Sequence, residues 1–518
     1  MPVTQLPRRT LARIVATIGP ASDSPDKVRD LIDAGVSVFR FNFSHGTLED
    51  HSRRLAVVRE VSAEMERPIA CLGDLQGPKI RVGKVPPDGI MLERGQRVIF
   101  RRGVELAHLE PASVPGDPAR AVFGTTYEPL IDEATPGHRV LINDGLIRLL
   151  AIERSADGRE LHCRVTVGGK VTSSKGINLP ESELSAPAIS DRDWECVAWA
   201  VENALDYLAL SFVRRPDEVN ELRAHLEKSR PADPRADVLN ETASMPIIAK
   251  IEMPQALRNL EGIIDAADGV MVARGDLGVE MDIAAVPVAQ KAIVAACNRA
   301  GKPCIVATQM LESMVTNASP TRAEATDVAN ALFDGADAIM LSAETATGAY
   351  PVLTVETMTR IGLAAEDHIH SQPAVESAPS RLIQSHVAIA ALCRGAWRIA
   401  TDTRAVAVVC WSERTGTARY LSQNGFRVPI IAYSSSIRAT RRMALLRGVT
   451  PVLARPPKTG TLGEWNEQVD NYLVGHGLAK PGDPIVLVAG KPLGKAKAAN
   501  SIAIHRVGET ATGYRATL

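Results

Sequence analysis

Over most of this chain the apolar residues fall in short unbroken runs of strand length. Eight such runs recur through the first two-thirds, at 13–18, 36–41, 69–72, 207–212, 247–251, 269–273, 304–308 and 338–341. Continuous runs rich in Val and Ile fit strands buried on both faces, as in parallel sheets wrapped by helices. Stretches with helical spacing lie between them, at 24–34, 48–67, 216–228, 286–300 and 319–333, several opened by Ser, Thr, Asp or Pro in capping positions. Eight β/α units in succession predict an α/β fold built on a (β/α)8 (TIM) barrel rather than an open sheet.

The regular succession breaks twice. Between the third and fourth runs the pattern changes to alternating segments at 82–100, 121–126, 139–148 and 161–170, interrupted by Pro-Pro, Asp-Gly, Pro-Gly and Gly-Gly. This texture predicts a small antiparallel β-barrel domain inserted in a βα loop at the top of the barrel, where a lid would sit. After residue 370 a Ser/Ala/Pro-rich connector (371–380) leads to short buried runs at 405–410, 429–433, 450–453 and 484–489 with helices between, a separate open α/β domain. The expected division is therefore 1–82 and 181–370 for the barrel, 83–180 for the lid and 371–518 for the C-terminal domain. The stretch 229–245, with Pro231, Asp233, Pro234 and Asp237, reads as a lengthened surface loop.

Composition narrows the function classes. A length of 518 residues suits two to four domains, and a net charge of -1 provides no basic field for nucleic acid or an anionic membrane. No apolar run reaches the ~18 residues of a membrane span, and the basic start lacks an apolar core, so a cytoplasmic protein is expected. The seven cysteines, Cys71, Cys163, Cys196, Cys297, Cys304, Cys393 and Cys410, form no CxxC pair. Their scatter fits reduced thiols better than disulfides or zinc.

Chemistry gathers where the runs end. The second is followed by Arg40, Asn42, Ser44 and His45, the third by Asp74, Leu75, Gln76, Lys79 and Arg81. The fifth delivers Lys250 and Glu252, the sixth Ala273, Arg274, Gly275 and Asp276, the seventh Thr308, and the eighth Ser342 and Glu344. Six of eight strands would thus put polar groups on one face, the face where α/β barrels carry their sites. Two lysines, three arginines and four carboxylates there suit a divalent metal and a phosphorylated anion.

These segments, 40–46, 73–81, 248–255, 269–280, 307–314 and 341–348, resemble the pyruvate kinase family over essentially the whole chain. The resemblance implies transfer of the phosphoryl group of phosphoenolpyruvate to ADP, giving pyruvate and ATP, in a homotetramer. It implies Mg2+ (or Mn2+) on Glu252 and Asp276, with Lys250 following the phosphoryl group and Arg40 on its oxygens. The substrate carboxylate would meet the backbone of residues 273–276. Thr308 would pass a proton to the methylene carbon, with Ser342 and Glu344 behind it. Nucleotide contacts would fall on Arg40, Asn42, His45 and Arg81, with Lys175 reaching from the lid. Arg274 is expected to orient its loop rather than to touch phosphate first.

Two regions depart from the family pattern. Where many members hold K+ with groups matching Asn42, Ser44, Asp74 and a threonine carbonyl, this chain has Leu75 for the threonine and Lys79 for a nearby glutamate. A lysine there adds two units of positive charge, and its ammonium is expected to stand in for the ion, so K+ is not required. In the C-terminal domain Ser412, Arg414, Thr415, Gly416 and Thr417 keep part of an effector loop. The later turn carries Lys495 and Lys497 in place of hydroxyls, so a sugar monophosphate or AMP fits as well as fructose 1,6-bisphosphate. The alternatives are a lyase or aldolase of the phosphoenolpyruvate/pyruvate kind and a non-catalytic ligand-binding paralogue.

Overall fold

The computed structural model describes residues 9–111, 118–229, 244–373, 378–458, 462–490, 493 and 499–509. The loop expected at 229–245 and the turn carrying Lys495 and Lys497 lie largely outside the described residues. Eight parallel strands close into a barrel: β1 (Arg13–Thr17), β2 (Val36–Asn42), β3 (Ala70–Asp74), β4 (Tyr207–Leu210), β5 (Ile247–Ile251), β6 (Gly269–Ala273), β7 (Cys304–Ala307) and β8 (Ala338–Leu341). They neighbour one another in chain order, and β8 returns to β1 with Arg13 opposite Ala338.

The unbroken apolar runs have a direct cause. Alternate residues such as Phe39, Phe41, Ile247, Val270 and Val306 pack outward under the helices. The residues between them, including Val15, Val38, Leu72, Ile248, Met271 and Ile305, fill the barrel interior. Helix starts follow the capping chemistry: Ser24 accepts from the Lys27 N–H, and Thr47, Ser190 and Thr321 each form a reciprocal capping box.

Five strands end elsewhere than their apolar runs, β1 and β2 by a single residue. β3 continues to Asp74, whereas β4 stops at Leu210 and β7 at Ala307. The early stops coincide with backbone in the left-handed region, at Phe212 (φ 54), Thr308 (φ 69) and Gln309 (φ 54). Bulky and β-branched residues rarely adopt it, and such strain collects at functional sites.

Between β3 and β4 the insert forms a seven-stranded sheet and a two-stranded ribbon around its own core. One pair, Arg97–Arg101 with Arg120–Phe123, runs parallel, an arrangement that alternation alone does not reveal. The insert is rooted where its two connections lie side by side: the Val82 N–H donates to Lys175 O (2.8 Å), Ser174 to Val82 O (3.1 Å) and Ile177 to Ile80 O (2.8 Å).

The C-terminal sheet runs Val449–Leu453, Ile430–Ser434, Ala407–Trp411, Pro484–Gly490, Ala499–Arg506. The first four strands are parallel, and the fifth, absent from the apolar pattern because it is mostly half-buried, is antiparallel at an edge. This domain closes the amino-terminal end of the barrel. Ala444 and Leu445 join the barrel's interior cluster, Tyr207 Oη donates to Arg442 O (2.6 Å), and Gln423 Nε2 donates to Asp337 Oδ1 (3.0 Å).

Candidate active site

At the carboxyl end of the barrel, β3 delivers Asp74 into a fully buried position between two cations. Arg40, from β2, places Nε 2.6 Å from Asp74 Oδ2 and donates from Nη1 to Thr17 Oγ1 (3.1 Å). Lys250, from β5, places Nζ 3.1 Å from Asp74 Oδ1 and 2.9 Å from Glu252 Oε1, and donates to Ser211 Oγ (2.6 Å). The ammonium is thus hydrogen-bonded to one neutral hydroxyl and ion-paired with two carboxylates. Ser211 Oγ donates in turn to Leu75 O (2.6 Å), and the Phe212 N–H to Glu252 Oε2 (2.6 Å). The strained turn after β4 therefore braces both the lysine and the carboxylate.

The charges are strongly interdependent. Burial alone would raise the Asp74 pKa, but Lys250 and Arg40 outweigh it and hold the carboxyl below its ordinary range. Burial opposes the charged form of Lys250, yet Asp74 and Glu252 keep it above the usual lysine value. Glu252 is driven upward, first by burial and then by Asp276, against the pull of Lys250. Two hard-oxygen groups close enough to penalise each other's charge, one wholly buried and one half-buried, fit a divalent cation that would neutralise both.

Asp276 lies on a seven-residue helix, Arg274–Glu280, which starts directly from β6. The amino-terminal end of this helix is tied to the loop after β7. Arg274 donates from Nη2 to Thr308 O (2.7 Å) and from Nε to Ala307 O (3.3 Å), and pairs with Asp327 Oδ1 (2.6 Å). Thr308 Oγ1 accepts from the Gly275 N–H (2.7 Å) and donates to Ala307 O (2.6 Å). The guanidinium thus spans the carbonyls of the strained loop. The far end of the helix carries Glu280, a buried carboxyl that accepts from Asn178 Nδ2 (2.7 Å) and that burial pushes up to about 7.

The relay expected behind Thr308 is not assembled. Glu344 is fully buried and occupied by backbone, accepting from the Ser342 N–H (2.6 Å) and the Leu311 N–H (3.2 Å), and Ser342 Oγ has no hydrogen-bond partner among the described residues. Glu344 in this geometry ties the loops after β7 and β8 together. Asn42 Oδ1 accepts from the Ser44 N–H (3.2 Å) at the mouth beside an exposed His45. Arg81 and Lys175 sit on the insert's paired connections, where Arg81 Nη1 donates to Ser174 O (3.0 Å).

Comparison with known proteins sets this geometry in a family. A family model described as pyruvate kinase, barrel domain, matches residues 8–355, and one described as pyruvate kinase, alpha/beta domain, matches residues 390–505. The chain belongs to the pyruvate kinase family. It is 37% identical over 514 residues to pyruvate kinase 2 of Synechocystis sp., covering 98% of this chain and 80% of that one. It is 38% identical over 507 residues to the pyruvate kinase of Thermococcus litoralis, covering 96% and 98%. A crystal structure of a pyruvate kinase from Cryptosporidium parvum superposes with a TM-score of 0.81 at 30% identity, covering 96% of each chain. As a pyruvate kinase this chain is a phosphotransferase.

Against the pyruvate kinase pattern, one expectation needs correction. Lys79 does not stand beside Asp74, whose partners are Arg40 and Lys250. Instead Lys79 lies under the insert, against Gly176, lining a cavity of about 30 Å³ with Ile177, Asn178, Phe212 and Glu280. The loop after β3 turns at Gly77 (φ 72), two residues before the lysine. In the C-terminal loop Glu413 takes up three donors beside the expected effector residues. Trp411 Nε1 donates to Glu413 Oε1 (2.6 Å), and Ser435 Oγ (2.9 Å) and Ser434 Oγ (3.3 Å) donate to Glu413 Oε2. Ser412 is buried, its hydroxyl accepting from the Ala418 N–H (3.2 Å), and Thr415 begins the helix Gly416–Ser422 in a left-handed conformation (φ 63). Arg414, Gly416 and Thr417 are half-buried beside them.

Sequence reasoning did not single out Ser211, Phe212, Asn178 or Glu280. A signal for Ser211 was present: it places a hydroxyl at the penultimate position of the fourth apolar run, much as Thr308 ends the seventh with one.

Proposed function

We propose that this chain transfers the phosphoryl group of phosphoenolpyruvate to ADP, giving pyruvate and ATP at the end of glycolysis, as a cytoplasmic homotetramer. The observation that carries this reading is the buried Lys250 held between Asp74 and Glu252 with Asp276 one strand away. Lys250 is a compact cation whose one hydrogen bond goes to the neutral Ser211 hydroxyl, so an arriving phosphoryl oxygen can take that hydroxyl's place. Lys250 and Arg40 stabilise the charge spread over the equatorial oxygens of a loose transition state. Glu252 and Asp276 would hold Mg2+ (or Mn2+), which when bound supplies charge neutralisation and a template for substrate oxygens. Asn42 and His45 from the barrel and Arg81 and Lys175 from the insert's root meet the nucleotide, with the insert as lid.

Thr308 lines the face from which the enol carbon is protonated. Its hydroxyl hydrogen points at Ala307 O, so it conducts a proton only by rotating away from that carbonyl, and it is too weak an acid to be the source. The expectation that K+ is not required stands on the pairing of Asp74 with two cations and on the Leu75 carbonyl already accepting a hydrogen bond. Pyruvate formation from phosphoenolpyruvate and ADP with Mg2+ in tetramethylammonium buffer tests both parts. Turnover lost in Lys250→Met and stimulated less than twofold by K+ is expected. Absence of turnover in the parent with K+ present would refute the activity, and strong stimulation by K+ would refute the independence alone.

A further inference from the structure

The helix Arg274–Glu280 is held at both ends by different parts of the molecule. Its first turn is fastened to the barrel loop after β7 through Arg274 and Gly275. Its last turn is fastened to the insert: Glu280 Oε1 accepts from Asn178 Nδ2 (2.7 Å), and the insert's turn at Gly145 comes so close that a Cβ there would lie 3.7 Å from Val279 Cγ1. Asn178 belongs to the strand Ile177–Asn178, which pairs with Ile142 and Leu141 inside the insert and adjoins the insert's root. Asp276 and Glu280 are four residues apart and share one face of the helix. Glu280 is buried, with Oε2 lacking a hydrogen-bond partner among the described residues, so the Asn178 amide is the bond that fixes its carboxyl.

We propose that Glu280 is a positioning residue that couples the seating of the insert to the placement of Asp276. The inference rests on the assignment of Asp276 as a metal ligand made above. With the insert seated, Asn178 anchors the end of the helix and fixes Asp276 relative to Glu252. When the insert swings about its paired connections, Asn178 pulls or releases Glu280, and the helix, held then only at its first turn, lets Asp276 leave its working position. Metal binding and insert closure thereby favour each other, and by linkage the coupling is reciprocal.

The decisive variant is Asn178→Ala, which removes no charge and lies on the insert. Mn2+ binding to the full-length protein without substrates, read from the spectrum of free Mn2+, is expected to weaken about tenfold. Glu280→Ala and the double variant are expected to weaken it by the same factor, because both remove one bond, and Glu280→Gln, which keeps an acceptor for Asn178, to stay within threefold of the parent. Amide exchange in residues 83–175 is expected to slow on adding Mn2+ to the parent and not to Asn178→Ala. Mn2+ affinity within twofold of the parent in Asn178→Ala, or single effects that multiply in the double variant, would overturn the coupling. If Glu280→Ala fails to fold, Asn178→Ala and Glu280→Gln decide the matter alone. A parent that binds Mn2+ yet does not turn over would refute the activity and leave the coupling standing, whereas a parent that binds no Mn2+ would refute both.

Discussion

Replacing Arg274 by Met separates two roles that a cation beside a phosphate site can play. In the structure the guanidinium bonds Thr308 O at 2.7 Å and Ala307 O at 3.3 Å while anchored on Asp327, so it braces the loop. That loop holds Thr308 and Gln309 at positive φ, each costing of order 1–3 kcal/mol that surrounding contacts must offset. One charge-assisted hydrogen bond contributes about 1.5–3 kcal/mol. Without it the backbone relaxes, and the Thr308 hydroxyl, also the partner of the Gly275 N–H, leaves its place. A loss of roughly 2–3 kcal/mol in the transition state lowers kcat about 30- to 150-fold. Steady-state kinetics with phosphoenolpyruvate varied at saturating ADP and Mg2+ would read this as a fall in kcat with KM changed less than threefold. Arg274→Lys should recover little, because an ammonium cannot span two carbonyls and Asp327 together. A rise in KM above tenfold at unchanged kcat would refute the reasoning and make Arg274 a direct substrate ligand.

Three further outcomes follow from the geometry. Ser211→Ala leaves Leu75 O and one Lys250 donor without partners, a cost of about 1–3 kcal/mol; kcat should drop about 5- to 150-fold, and kcat and thermal midpoint both matching the parent would contradict the bracing role. Asp337, buried where the barrel meets the C-terminal domain, has its pKa raised from 3.8 to about 6 by burial, so its stabilisation is full below pH 4 and lost as pH rises through 6; urea unfolding from pH 4 to 7 should show the parent losing roughly 3 kcal/mol that Asp337→Asn does not lose, and parallel profiles would exclude this. Glu413→Ala frees the Trp411, Ser434 and Ser435 donors, so at subsaturating phosphoenolpyruvate it should respond to fructose 1,6-bisphosphate, a sugar monophosphate or AMP where the parent responds less than twofold; equal responses in both would show that Glu413 does not occupy the site.

The barrel was legible because burial on both faces leaves its mark in every residue of a strand, as in Ile247–Ile251 and Gly269–Ala273. The charged residues at those strand ends were legible for the same reason. A lysine or glutamate that closes a doubly buried strand has to find its partners at the mouth of the barrel, since the helices cover every other route to water. What could not be read were side-chain directions. Lys79 has the right charge and the right place in the sequence to neutralise Asp74, but beyond a turn at Gly77 it lies beneath the insert. Glu344 looked like a proton carrier, yet two backbone N–H groups claim its oxygens. Asn178 and Glu280 are separated by about a hundred residues, and neither lies in a pattern that announces a partner. The edge strand Ala499–Arg506 was missed because half-buried residues leave no clean period.

The segment around Ala444 and Leu445 has a consequence for how the chain can be divided. These residues plug the floor of the barrel, packed with Val15, Val38 and Ile248, and Tyr207 and Asp337 reach down to the same domain. Cutting at the 371–380 connector would therefore not release a finished barrel. It would uncork one, exposing apolar strand residues and a buried aspartate to water at the end opposite the chemistry. The connector is a hinge in the sequence only; in three dimensions the last domain is the barrel's missing bottom, and neither half is a part that can be exchanged or discarded without rebuilding the other.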